Sequence, residues 1–209
     1  MPEIRITLLD PADAVGLQRC YAIYRDAILK SEQRPEAEFK ALFFRPDYRF
    51  LVARMDEQIV GVAVSWAPEQ ADFWLFEYAA VAPEVRGMQI GSHLLQASVA
   101  IIGPQRVTLV EVDADMGLDE QARCMRFYQR LGARRLRGLN YILPLDAFGT
   151  PRPMIMLALT HPSVGGVSVM ILEDWLRRIY HEVYGKGLDD PRLAKMIDPL
   201  PDQIQFDPI

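Results

Sequence analysis

The chain is poor in cysteine, with only Cys20 and Cys124 among 209 residues. Two isolated thiols form neither a disulfide framework nor a metal pattern, so both are expected as buried free cysteines. Histidine is equally scarce. His93, His161 and His181 stand far apart, and no metal site is expected. No apolar run approaches the length that crosses a bilayer. Positive charge is also lacking: 23 basic against 28 acidic residues give a net charge of -5. That balance argues against a nucleic-acid partner, which calls for concentrated positive charge. The opening residues, MPEIRITLLD, carry acidic side chains and no apolar stretch, unlike a signal peptide. A cytoplasmic protein with no membrane partner is expected, and an acidic chain suits a cationic substrate.

Half of the residues are hydrophobic and 24% are charged, which provides for a packed core. EIRITLL alternates as a half-buried strand does. Asp10-Pro11 predicts a helix start, with Asp10 as cap. Pro35 opens a second helix, PEAEFKALFF. YRFLVARM and QIVGVAVSWA, joined by the short polar link DEQ, predict an antiparallel hairpin. DFWLFEYAAVA follows as a strand buried on both faces. IGSHLLQASVAII is a helix, RVTLVEVDA a strand, and LDEQARCMRFYQRLG a helix capped by Asp119 and closed by Gly132. ARRLRGLNYI predicts a strand bent at Gly138, and PMIMLALT another. The order β-α-α-β-β-β-α-β-α-β-β is that of an α/β layered domain, without internal repeats. From His161 onward the pattern changes to one helix, SVMILEDWLRRIYHEVYG, and an extended tail whose Ile204, Phe206 and Ile209 are candidate anchors.

The stretch AVAPEVRGMQIGSHLL is a strand, a tight turn and a helix start. The first N–H groups of a helix lack partners and carry the positive end of its dipole, which makes an anion site. Arg86 adds charge. Gly87 and Gly91 allow close backbone approach, and Ser92 offers a hydroxyl. A purely structural turn is the alternative.

This stretch resembles motif A of the GNAT superfamily of N-acetyltransferases, a strand ending in V-x-P followed by R/Q-x-x-G-x-G/A and a helix. Val81, Pro83, Arg86 and Gly91 match in order. Gln89 departs from it, standing where the first glycine of the motif falls. A second stretch, RCMRFYQRLGARRL, resembles motif B through Phe127-Tyr128 and Leu131-Gly132-Ala133, with Gln121 where many members have Asn. The resemblance covers residues 3 to 160. It implies a GNAT-like fold, with a mixed, mostly antiparallel central sheet flanked by helices, over residues 1–160. A C-terminal helix and extended tail over 161–209 would pack on that domain or on a partner subunit.

The resemblance further implies acetyl-CoA as co-substrate, with no metal. Backbone amides of Arg86, Gly87, Met88, Gln89, Ile90, Gly91 and Ser92 would hold its pyrophosphate. The backbone near Ala79 and Val81 would bond the pantetheine arm and polarise the thioester carbonyl. Tyr128 matches the tyrosine that protonates the departing thiolate, since a phenol of pKa about 10 is protonated at neutral pH. Carboxylates in apolar strands are costly to bury without purpose. Glu77 is the first candidate base: it shares strand parity with Ala79 and Val81, whereas Tyr78 points to the opposite face. Glu111, which shares a face with Asp113, is the second, as base or amine-binding group. Either could instead pair with an arginine such as Arg106 or Arg134. Trp66, Trp74, Phe43 and Phe44 are candidates for the acceptor pocket or for the core, and His93 reads as surface.

The function implied is acetyl transfer from acetyl-CoA to a primary amine of a small, cationic or amino-acid-like metabolite. A protein or peptide N-acetyltransferase and a non-catalytic acyl-CoA-binding module are the alternatives. A homodimer is possible. The C-terminal helix, with Trp175 and Tyr180, could form its interface or pack on its own domain.

Overall fold

A computed structural model of the chain describes residues 3–28, 30, 33–114, 117–144 and 152–209. The chain forms two compact units, Met1–Arg106 and Val107–Ile209.

The first unit holds strands β1 (Ile4–Leu8), β2 (Tyr48–Met55), β3 (Gln58–Trp66) and β4 (Phe73–Val81) with helices α1 (Ala14–Ala27), α2 (Glu36–Phe43) and α3 (Ile90–Ile102). The strands follow the order β1-β2-β3-β4, each antiparallel to the next. The β2–β3 hairpin turns on Asp56 and Glu57, at φ 47° and 66°. Two consecutive positive φ values give the turn whose twist matches that of the flanking strands.

Helix α1 begins later than its sequence predicts. Asp10 accepts from the Ala12 amide at 2.8 Å in a preceding turn, and Asp13 caps the helix instead. Its carboxylate accepts from the Gly16 amide at 2.6 Å and pairs with Arg54 at 2.7 Å, so tertiary contact selects the later cap. A Cβ at Gly16 would lie 2.4 Å from Asp13 Oδ2.

Gly61 fixes how closely α3 lies on the sheet. A Cβ there would stand 3.0 Å from Ile90 Cγ2 and 3.2 Å from Leu94 Cδ1. On the opposite face α1 packs through Tyr24, edge-on to Tyr78 with centroids 4.9 Å apart. Trp66 and Trp74 are fully buried and belong to the core, whereas Phe44 is 71% exposed. Cys20 is buried, and that burial pushes its thiol up to about 12.

The second unit holds strands β5 (Val107–Asp113), β6 (Arg134–Leu136), β7 (Tyr141–Leu143), β8 (Arg152–Leu159), β9 (Gly166–Ser168) and β10 (Gln203–Pro208). Its helices are α4 (Leu118–Arg130), α5 (Val169–Arg178) and α6 (Pro191–Ile197), with a π-helical turn at Ile179–Val183. The strand order is β5-β8-β6-β10-β9, and β7 also pairs with β8. The bent strand predicted around Gly138 is two short strands. Gly138, at φ 79°, leaves the extended region between them. Helix α4 is capped by Gly117 at φ 84° rather than by Asp119, because the Gln121 amide reaches the Gly117 carbonyl at 2.9 Å.

The C-terminal stretch is more ordered than a helix and a tail. Asp190 caps α6, and β10 pairs with β6 on one side and β9 on the other. Ile204 and Phe206 are buried there, as are Trp175 and Tyr180 within the same unit. β9 and β10 approach so closely that a Cβ at Gly166 would lie 2.2 Å from the Ile204 carbonyl oxygen. The obstructing atom is backbone and cannot rotate away. Gly166→Ala is therefore expected to lower unfolding stability by about 1–3 kcal/mol, measured as a reduced urea midpoint at constant m.

Candidate functional site

Strand β4 ends at Val81 and a 3₁₀ turn, Pro83–Val85, follows. The backbone then alternates. Arg86 is extended at φ -60°, ψ 146°, Gly87 lies at φ 88°, and Gln89 lies at φ 61°, ψ 14°. Gln89 is the N-cap of α3 and occupies the left-handed region in which a glycine is at home. The loop thus keeps a glycine conformation with a glutamine side chain. That side chain is exposed, and Ile90 beside it is buried. The His93 amide reaches the Gln89 carbonyl at 3.1 Å. The amides ahead of it, from Gln89 to Ser92, are those a helix start leaves unpaired. With exposed Arg86 alongside, they form a positive cradle suited to a phosphate-bearing ligand.

Ala79 and Val81 face away from β3 through their backbones. The Ala82 amide donates to the Val60 carbonyl at 2.8 Å, and Val62 pairs with Ala80 two residues along. Residues of that alternate set bond β3, so the intervening Ala79 and Val81 direct N–H and C=O the other way.

Upstream the alternation breaks. Val64 pairs with Tyr78 and Ser65 with Phe76, so Glu77 is an extra residue, a β-bulge. Parity therefore fails here: Glu77 and Tyr78 turn to the same face, that of α1, where Glu77 bonds Arg34 beside Tyr24 and Tyr78 packs edge-on against the Tyr24 ring. Ala79 and Val81, predicted to share a face with Glu77, lie on the α3 side with Gly61.

Glu77 is 1% exposed at its side chain and is fully engaged. Oε1 accepts from Arg34 Nη2 at 2.8 Å and Nε at 3.2 Å, while Oε2 accepts from Tyr48 Oη at 3.0 Å. Burial, with the Glu77 charge second, raises the Tyr48 phenol far above its ordinary value, so it donates as a neutral hydroxyl. The partner of Glu77 is thus neither of the arginines its sequence suggested. Arg106 donates to the Pro68 and Phe73 carbonyls, and Arg134 to Thr160 Oγ1 and the Val164 carbonyl. Both carboxylate oxygens of Glu77, the first candidate base, are thus engaged by side chains of the chain itself.

In the second unit Glu111 is half-buried on β5. Tyr141 Oη donates to Oε1 and Tyr184 Oη to Oε2, the latter at 2.5 Å. Tyr184 follows the π-helical turn, a wide turn that re-aims the residues after it. Sequence reading missed both tyrosines, since the three residues are far apart along the chain. Tyr128 stands in the last turns of α4 against Phe127, with ring centroids 4.9 Å apart. Its carbonyl accepts from the Leu131 and Ala133 amides, each at 3.0 Å, which closes the helix. Burial, then the nearby Cys124, raises its phenol above the ordinary value. Gln121, at the other end of α4, donates to the Ala114 carbonyl at 2.9 Å. Among the described residues no group of His, Cys, Asp and Glu gathers to hold a metal ion, and no helix is long and apolar enough to cross a membrane.

Residues 17–133 match the acetyltransferase (GNAT) family. No curated protein matches the sequence significantly. Among solved structures, a GNAT-family protein from Bacteroides thetaiotaomicron superposes with a TM-score of 0.72 at 17% identity, covering 88% of this chain and 99% of that one. The ribosomal-protein-S18-alanine N-acetyltransferase from Escherichia coli superposes at 0.58 and 20% identity, covering 75% and 93%. An aminoglycoside 6'-N-acetyltransferase complexed with coenzyme A gives 0.57 and 21%, covering 75% and 96%. These likenesses are of fold.

Left-handed backbone costs a non-glycine residue about 1–2 kcal/mol, and the freedom that glycine adds to the unfolded chain offsets part of the relief. Gln89→Gly is expected to raise stability by about 1 kcal/mol, read from the urea midpoint, with the α3 start unchanged by NMR.

Proposed function

Because the chain belongs to the acetyltransferase (GNAT) family, we propose that it is an N-acetyltransferase moving an acetyl group from acetyl-CoA to a primary amine of a small cationic or amino-acid-like metabolite. The observation that carries this reading is the left-handed Gln89. With it, the turn keeps the backbone shape that leaves the amides from Gln89 to Ser92 open to the pyrophosphate. The Gln89 side chain is exposed, and Arg86 adds a positive charge beside the cradle.

Bound acetyl-CoA supplies the activated thioester carbonyl. The chain does the rest. The outward backbone of Ala79 and Val81 bonds the pantetheine arm and polarises the carbonyl as negative charge develops on its oxygen. Tyr128, a phenol that is protonated at neutral pH, gives its proton to the departing thiolate.

The amine must be neutral to attack, so a carboxylate has to take its proton. Protonating Glu77 would strand the Arg34 charge in the interior, where an unpaired ion is costly. Glu111 accepts from two phenols, Tyr141 and Tyr184, which are neutral donors. That difference supports Glu111 as base or amine-binding group, with its negative charge favouring a cationic acceptor. The aminoglycoside and ribosomal-protein enzymes of similar fold modify amines of very different size, so the acceptor assignment rests on Glu111.

The test combines acetyl-CoA titration calorimetry with acetyl-CoA consumption across a panel of polyamines, amino acids, aminoglycosides and peptide N-termini, read by mass spectrometry. Tyr128→Phe is expected to lower turnover by about 10²-fold or more with acetyl-CoA affinity little changed, and Gly91→Glu to abolish acetyl-CoA binding. Normal binding by Gly91→Glu would sink the pyrophosphate assignment. Binding without transfer to any amine would favour a non-catalytic acyl-CoA module, and transfer to peptides alone a protein acetyltransferase.

A further inference from the structure

The β4 bulge carries more side-chain chemistry than a change of strand direction requires. Its extra residue is a carboxylate paired with a guanidinium and almost without exposure, in a strand otherwise lined by Phe73, Trp74, Leu75 and Phe76. Arg34 grips the bulge through two bonds to Glu77. Arg34 is itself anchored: its side chain is only 15% exposed, and its backbone amide donates to Tyr24 Oη at 2.8 Å. Tyr48, from β2, holds the other carboxylate oxygen. Three separate segments, the α1–α2 connection, β2 and β4, thus meet on one side chain.

Ala79 follows the bulge directly, and its N–H and C=O direction depends on the bulge. Removing the extra residue from the ladder would exchange the outward and inward sets along β4. A hydrogen-bond donor aimed at a developing oxyanion is effective only when it is held in place beforehand.

We infer that Arg34, Tyr48 and Glu77 are positioning residues: they form a buried clamp on the bulge that holds the backbone of Ala79 in place to polarise the thioester carbonyl. The inference rests on the acetyl-CoA reading above, and it replaces a proton-transfer role for Glu77 with a geometric one. Charge enters the clamp because two charge-assisted bonds from one guanidinium to Glu77 Oε1, with the Tyr48 hydroxyl on Oε2, fix direction as well as distance. An apolar contact would hold the bulge without fixing its rotation.

The test is isotope-edited infrared spectroscopy of [1-¹³C]acetyl-CoA bound to the full chain, with affinity measured on the same samples. In the unmodified protein the labelled carbonyl band is expected at lower wavenumber than in free acetyl-CoA. Removing only Glu77 or Arg34 leaves an unpaired buried charge and risks unfolding, so the informative variant replaces both, Arg34→Met with Glu77→Met. Such apolar exchange of a buried ion pair preserves folding in other proteins. This variant is expected to retain acetyl-CoA binding, held by the amides from Gln89 to Ser92, and to move the band back toward its free position. Tyr48→Phe, which leaves the ion pair intact, is expected to lose part of the shift.

A folded double variant that binds acetyl-CoA and keeps the full shift would overturn the clamp. Should the double variant not fold, a Tyr48→Phe band identical to that of the unmodified protein would overturn it instead. Binding by the unmodified protein with no band shift overturns the clamp while leaving the acetyl-CoA reading intact. Absence of acetyl-CoA binding overturns that reading, and the clamp with it.

Discussion

The first unit is organised around a carboxylate that cannot be left alone. Glu77 has almost no contact with solvent, and an isolated buried charge costs several kcal/mol. Once the bulge turns it toward α1, a cation and a donor have to meet it there. Arg34 and Tyr48 fulfil that requirement, and their segments are thereby fixed. The position of the connection ahead of α2 is a consequence of this pair as much as of helix packing. The aromatic set around it, Tyr24, Tyr78, Phe39 and Phe50, fills the space that the ion pair leaves dry.

Much of the fold was legible because its signals are local. The alternation in EIRITLL, the two β-rich runs about a polar link and the helical spacing after Gln89 each depend on a few neighbouring residues. The order of elements through α4 follows from them, and the first departure is the division of the next strand into β6 and β7. Helix caps were less legible: Asp10 and Asp13 are both competent, and only the distant Arg54 and the absence of a Cβ at Gly16 decide between them. The C-terminal strand was missed because QIQFDP has too few residues to display a period. Its strand character comes from β6 and β9 on either side.

The geometry of the candidate site was legible where it depends on local backbone and less so where it depends on long-range contact. Residues 86–92 form a continuous stretch, and Gln89 demonstrates that the conformation survives without the expected glycine. Side-chain parity around Glu77 was not legible, since a single inserted residue reverses it and no sequence pattern marks the insertion. Nor was the surrounding of Glu111, where one tyrosine comes from β7 and another from beyond a π-helical turn. Pairings between residues so distant in the chain leave no period to read.

The placement of β10 has a consequence for the order in which the chain can be built. The first unit has all four of its strands before Arg106, so its sheet can close while the rest is still being synthesised. The second cannot. β6 and β9 remain without their common neighbour until residues 203–208 have been made, and the Arg137–Asp207 pair spans 70 residues. Synthesis adds about 5–20 residues per second, so β6 exposes an open edge for several seconds. Arg134 and Arg135 within it and Arg137 directly after it put positive charge along that edge, a feature that discourages pairing with another chain.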